Sequence, residues 1–214
     1  MELNRLYAKV FKWMGLGLLV SFLTAFMVSS NETMMYNLYS GNMIFFIVGI
    51  ELLLVLGLSF LINKLSYMSA LIWFFLYCFV SGLTMSGICY VYSLGSLFIT
   101  FIATSVMFGV MAFMGNKTNK DLSKFGTILL FSLIPIIIVS IINIFIGSTT
   151  LDFILSIVIV LVFCGITAYD MQNIKRLFFA GHDEDKIAVI GALELYLDYI
   201  NIFIQMLQFI GKEK

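Results

Sequence analysis

Long apolar runs dominate the chain, and polar residues gather in the short stretches between them. The runs cover residues 10–29, 43–63, 68–91, 94–114, 125–147, 152–174 and 187–210. A hydrocarbon core ~30 Å thick takes about 20 helical residues to cross, and each run is of that order. None alternates apolar with polar as a membrane strand does, and an open sheet edge finds no hydrogen-bond partners in lipid. The pattern predicts an all-α integral membrane protein with seven transmembrane helices. Short connections predict a single domain, 1–214. The first run follows Arg5, Lys9 and Lys12 as a signal peptide would. It is too long for one, lacks a small-residue cleavage site and is followed by further spans, so a retained helix is predicted. Pro135 lies inside 125–147 and removes one backbone donor, which predicts a kink.

Composition agrees. Of 214 residues, 62% are hydrophobic and 11% charged, against roughly 25% charged in a soluble domain. The net charge is zero, so no nucleic-acid partner is expected. The distribution of charge says more. Arg5, Lys9, Lys12, Lys64, Lys117, Lys120, Lys124, Lys175, Arg176 and Lys186, ten of the twelve basic residues, fall on one side of the predicted topology. The opposite loops, 30–42, 92–93 and 148–151, hold none. The positive-inside rule makes the basic side cytoplasmic, which predicts a multi-pass protein of the cell or inner membrane with a cytoplasmic N-terminus. Lys212 and Lys214 are the exception, because a full seventh crossing puts them outside. Cys78, Cys89 and Cys164 all lie in apolar runs with no metal-ligand spacing and read as buried filler. Asn31-Glu32-Thr33 matches a glycosylation sequon, and Trp13 and Trp73, near span starts, read as interfacial anchors.

The seventh run carries the candidate chemistry. Glu194, Asp198, Asn201, Gln205 and Gln208 follow at spacings of four, three, four and three, so all share one helical face. Such a stripe fits a helix lying on the membrane surface, or a central helix whose polar face is turned into a bundle. It holds no Lys or Arg, and intramembrane carboxylates face a polar interior, so the central position is predicted. Asp198 lies about 16 Å into the helix and needs a partner or a proton. Asp170, near the end of span six, is the candidate partner, across a connection of about 12 residues between neighbouring helices. Two touching carboxyls share a proton and titrate as a pair, which makes a pH-sensitive latch. The alternative for Asp170 is a solvated charge at the helix end. His182, in Gly181-His182-Asp183-Glu184-Asp185, reads as a solvated turn whose acids favour the following helix N-terminus.

Asp121-Leu122-Ser123, Tyr169-Asp170, Ser81-Gly82-Leu83-Thr84-Met85-Ser86 and Leu195-Tyr196-Leu197-Asp198-Tyr199-Ile200-Asn201-Ile202-Phe203 together resemble the Bax inhibitor-1 family, the transmembrane Bax inhibitor motif proteins. The likeness runs from about span two to the C-terminus. It implies a seven-helix fold in which the C-terminal helix is central and surrounded by the other six, and a proton-regulated calcium leak. Asp170 and Asp198 match the family's two pore-closing aspartates and would make transient contacts with passing calcium. Glu51 matches a glutamate of the second helix in some members, and with Glu194 and Asn201 it would line the ion pathway. Some bacterial relatives carry an arginine near the end of helix two that engages the aspartates; here the stretch reads Phe60-Leu61-Ile62-Asn63-Lys64, and Lys64 is the possible latch cation, without a guanidinium's bidentate fork. Calcium is then cargo and no resident cofactor is expected; the partners are calcium, protons and the bilayer. Two alternatives stay open. One is a non-conducting regulator that binds other membrane proteins, such as a membrane protease, with the stripe as a packing device. The other is a proton-coupled small-solute transporter, for which the expected broken helices and inverted repeats are not visible in the sequence. An enzyme is not expected: Tyr169-Asp170-Met171 lacks the glycine context of an intramembrane aspartyl protease.

Overall fold

The computed structural model describes residues 2–62 and 64–214. It contains helices α1 (Glu2–Ser29), α2 (Glu32–Tyr39), α3 (Met43–Leu61), α4 (Tyr67–Val91), α5 (Leu94–Lys117), α6 (Ser123–Ile146), α7 (Thr149–Phe179) and α8 (Glu184–Ile210). Among the described residues, six helices are long and apolar enough to cross a bilayer alone, and the bent pair of α2 and α3 brings the number to as many as seven. The all-α membrane class is therefore the one the apolar runs predict. Asn63, in the stretch read for a latch cation, lies outside the described residues.

Three local features differ from the sequence reading. Residues 30–42 are not simply a loop. Asn31 Oδ1 accepts the Met34 amide at 3.0 Å and so caps α2. Met35 and Leu38, one turn apart, bury against Val28. A bend of 79° then leads into α3. Second, α7 continues past Lys175 to Phe179, and the connection to α8 is only 180–183 rather than about 12 residues. Gly181, at φ 78°, turns the chain, and Asp183 Oδ1 accepts the Asp185 and Lys186 amides at 2.9 and 3.3 Å. Third, Trp73 is a packing residue rather than only an interfacial anchor. Its indole N–H donates to the Leu54 carbonyl at 2.9 Å, and its ring fills the notch left by Gly57. Helix α6 remains one helix through Pro135.

The chain gathers into two compact units. The first holds the chain up to Leu94 with Gly181–Tyr196 and Glu213–Lys214; the second holds Gly95–Ala180 with Leu197–Lys212. Glycine notches knit each unit. In the first, Gly17 on α1 receives Phe74 and Cys78 of α4, while Gly82 on α4 receives Ser21 and Thr24 of α1. In the second, Gly115 on α5 lies against the Ala168 backbone of α7. Gly126 on α6 takes the Tyr169 ring, and Gly165 on α7 takes Phe125 and Leu129. Lipid offers no hydrophobic drive for helix association, so close approach through small residues supplies the packing energy.

Helix α8 contributes to both units. It is the most buried of the candidate spans among the described residues. In the first unit its start lies beside α1, where Lys9 Nζ meets Asp185 at 2.6 Å. In the same unit the tail pairs with the end of α4: Glu213 bridges Tyr92, and the Lys214 amide donates to the Val91 carbonyl at 3.0 Å. Helix α8 therefore runs unbroken from the N-terminal end of α1 to the C-terminal end of α4 and does not turn back as a hairpin.

Candidate functional site: a buried carboxyl pair

Asp170 sits in α7, nine residues before its end at Phe179, which is about 13 Å of helix. Asp170 is therefore a buried side chain within α7 and not a solvated charge at the helix end. Asp198 sits midway along α8. Both side chains are buried, at 7% and 2% exposure. They lie in the same unit, and their carboxyls are joined by a side-chain hydrogen bond. An ionised carboxylate only accepts, so this bond exists only while the pair holds a proton.

The surroundings are largely apolar. The Cys164 thiol of α7 is close enough to Asp198 to interact electrostatically. One turn along α8, Ile202 packs with Val160 and Cys164, and Met107, Met111, Phe163 and Met206 close around them. The adjacent Tyr199 donates to the Phe101 carbonyl at 3.0 Å and shares a 2.9 Å hydrogen bond with Ser105 of α5. Among the described residues, no three of His, Cys, Asp and Glu converge as a closed metal site requires.

The rest of the polar stripe is used unevenly. Asn201 folds back, its amide donating to the Leu197 carbonyl at 2.8 Å. Gln208, at the far end, accepts from Ser156 of α7. Glu194 and Gln205 are half-buried. The comparisons with known proteins bear on how this arrangement is read. The sequence profile of the family described as inhibitor of apoptosis-promoting Bax1 matches residues 3–214. The chain belongs to the Bax inhibitor-1 family. It is 39% identical to an uncharacterized protein of Borreliella burgdorferi, over 99% of this chain and 93% of the relative. It is 36% identical to the inner membrane protein YbhL of Escherichia coli K12, over 97% of this chain and 91% of that one. An uncharacterized membrane protein of Streptococcus pyogenes serotype M3 is 34% identical, over 98% and 93%.

Within this Bax inhibitor-1 family member, Glu51 and Lys64 fall in the first unit. Glu51 of α3 is half-buried and accepts from Thr84 Oγ1 at 2.9 Å and the Tyr77 hydroxyl at 3.4 Å. Beside it Tyr77 meets Tyr196 edge to face, with ring centroids 5.8 Å apart. The Tyr196 hydroxyl bonds Ser21 at 2.7 Å, and Ser21 in turn donates to the Cys78 carbonyl. Lys64 is exposed in the turn between α3 and α4. Thr84 and Tyr196 stand in the motifs of the resemblance, but nothing in the sequence joins Glu51 to Thr84 and Tyr77, or Tyr196 to Ser21. A hydroxyl in an apolar helix carries no spacing that distinguishes a side-chain partner from a bond to its own helix.

Proposed function

We propose that this protein is a pH-sensitive calcium leak of the cell or inner membrane, with a cytoplasmic N-terminus, closed by the proton that Asp170 and Asp198 share. The observation that carries the reading is the hydrogen-bonded carboxyl pair, buried in a helix bundle of membrane-spanning length. With the proton in place the pair joins α7 to α8. When the second carboxyl ionises, the donor is gone and two like charges face each other. At ~4 Å and an effective dielectric of about 20 that repulsion is worth about 4 kcal/mol, enough to shift a closed–open equilibrium about a thousandfold. Closure at low pH and opening as pH rises follow.

Calcium is the cargo. It takes six to eight oxygen ligands and tolerates irregular geometry. Glu51, Glu194, Asp198 and Asn201, with water, would offer a few at a time, and weak successive contacts suit passage rather than storage. The test is calcium flux into vesicles that contain only this protein, measured against pH. Wild-type flux is expected to rise with pH. Asp198→Asn, which keeps the volume but cannot ionise, is expected to flatten that dependence. Unchanged flux and unchanged pH dependence in both Asp170→Asn and Asp198→Asn would remove the basis for the reading, and a purified protein that conducts nothing would favour a non-conducting regulator.

A further inference from the structure

The α7 segment that carries Asp170 is fastened to the α5–α6 turn along its whole length. Ala168 lies in the Gly115 notch and Tyr169 in the Gly126 notch. Gln172 holds the turn by its backbone: its Nε2 donates to the Lys120 carbonyl at 2.9 Å, and its Oε1 accepts the Leu122 amide at 2.8 Å. Lys175 Nζ donates to the Asn116 carbonyl at 3.2 Å. Arg176 donates to Ser123 Oγ at 2.6 Å and to Asn173 Oδ1 at 2.7 Å. One side chain thus satisfies both a donor and an acceptor of an otherwise irregular turn, two residues after the carboxyl.

We propose that Gln172 is a positioning residue, clamping α5, α6 and the Ala168–Arg176 segment of α7 into one body, so that Asp170 stays fixed when the pair separates. Residues two apart on a helix do not face each other, so Gln172 acts on Asp170 through the setting of α7 and not by touching it. On the other side of the pair, Tyr199 next to Asp198 reaches α5 through its hydroxyl.

Other titratable groups share these elements, among them Glu194 one turn before Asp198 on α8. Cys164 is buried. Lys117, Lys120 and Lys124 lie on α5, the turn and α6, and Lys175 and Arg176 on α7. Asp121, in the turn, is held below the usual aspartate range by the Ser123 hydroxyl and amide, helped by Arg176 and Lys124. A depressed acid stabilises its fold above its unfolded pKa and loses that contribution only as pH falls through the folded value. Asp121 therefore stays ionised near neutrality.

The inference rests on the proposed leak, and its test separates the two. The clamp is first read without flux, by hydrogen exchange of the Leu122 amide after correction for the intrinsic pH effect. Protection is expected to be equal at pH 6 and pH 8, and to fall about tenfold in Gln172→Ala, the loss of one such bond. Protection lost between those pH values in the wild type, or unchanged in Gln172→Ala, overturns the clamp. The consequence is read in a Lys120→Cys, Gln172→Cys double variant lacking Cys78, Cys89 and Cys164, bridged by a short reducible bis-thiol reagent. The bridged protein is expected to keep the pH profile of calcium flux of its parent lacking the three cysteines, and the released protein to show a midpoint shifted from that parent by about half a pH unit. A bridge that abolishes the pH response, or a released protein with the parent's profile, overturns the proposal. If the wild type conducts no calcium at any pH, the leak fails while the exchange measurement still judges the clamp.

Discussion

At the scale of single residues, polar side chains inside the bundle divide by what they touch. Glu51 shows the distinction within one carboxylate. Its bond from Thr84 at 2.9 Å is of ordinary length, whereas that from Tyr77 at 3.4 Å is near the limit. Thr84→Val should therefore lower thermal stability by about 1–3 kcal/mol through an acceptor left half-satisfied, and Tyr77→Phe by less than half of that. Parallel unfolding curves in detergent measure the order, and equal losses would mean that packing, not the hydrogen bond, sets the cost. Asp170 and Asp198 were legible in the sequence because carboxylates in apolar runs are conspicuous and costly. Gln172 was not, because a glutamine near the polar end of a helix looks like a solvated one. Only the backbone of the 117–123 turn gives it a role.

At the scale of elements, run length located the spanning helices, since bilayer thickness and helical rise fix it between them. The same measure failed for α2, whose 8 residues bury only Met35 and Leu38. It also misplaced the end of α7, where the helix continues through polar residues that stop an apolar run. What the helices do with their glycines was hidden as well. Gly15 meets nothing within 4 Å, whereas a Cβ at Gly17 would stand 2.7 Å from Phe74 and 2.8 Å from Cys78; nothing in the local sequence separates the two. Gly115 and Gly126 are the notches under the α7 segment that bears Asp170. Gly115→Ala presses a methyl into the Ala168 backbone, which cannot rotate away as a side chain can. It should cost about 1–3 kcal/mol as overpacking, while Gly109→Ala, in open space on the same helix, should be neutral or stabilising. Melting temperatures of the two variants check this, and a Gly115→Ala protein as stable as Gly109→Ala would refute a close α5–α7 contact.

At the scale of the whole molecule, the direction of α8 decides where the chain ends. Its 27 residues span about 40 Å, more than the ~30 Å of hydrocarbon. Its start is tied to the start of α1 through Lys9 and Asp185, and its tail to the end of α4 through Tyr92 and Val91. The two basic residues of that tail contradict the charge rule only if their charges stand free. Lys214 Nζ donates to the Cys89 carbonyl at 3.0 Å and lies 6.0 Å from the Tyr90 ring, a favourable place for a cation beside the last turn of a helix. The Lys212 backbone is held by Ser96, which accepts its amide at 2.8 Å and donates to its carbonyl. The rule acts on charges near loops during insertion and is a bias in numbers, and two lysines against ten do not reverse it. Single cysteines placed at Lys120 and at Lys212, in a protein lacking its three buried ones, should therefore differ in sealed right-side-out vesicles. A membrane-impermeant maleimide should label position 212 at once, and position 120 only after the vesicles are opened. Labelling of both positions from the same side would mean that α8 turns back within the bilayer, and the pairing of Glu213 with Tyr92 could not then hold in the membrane.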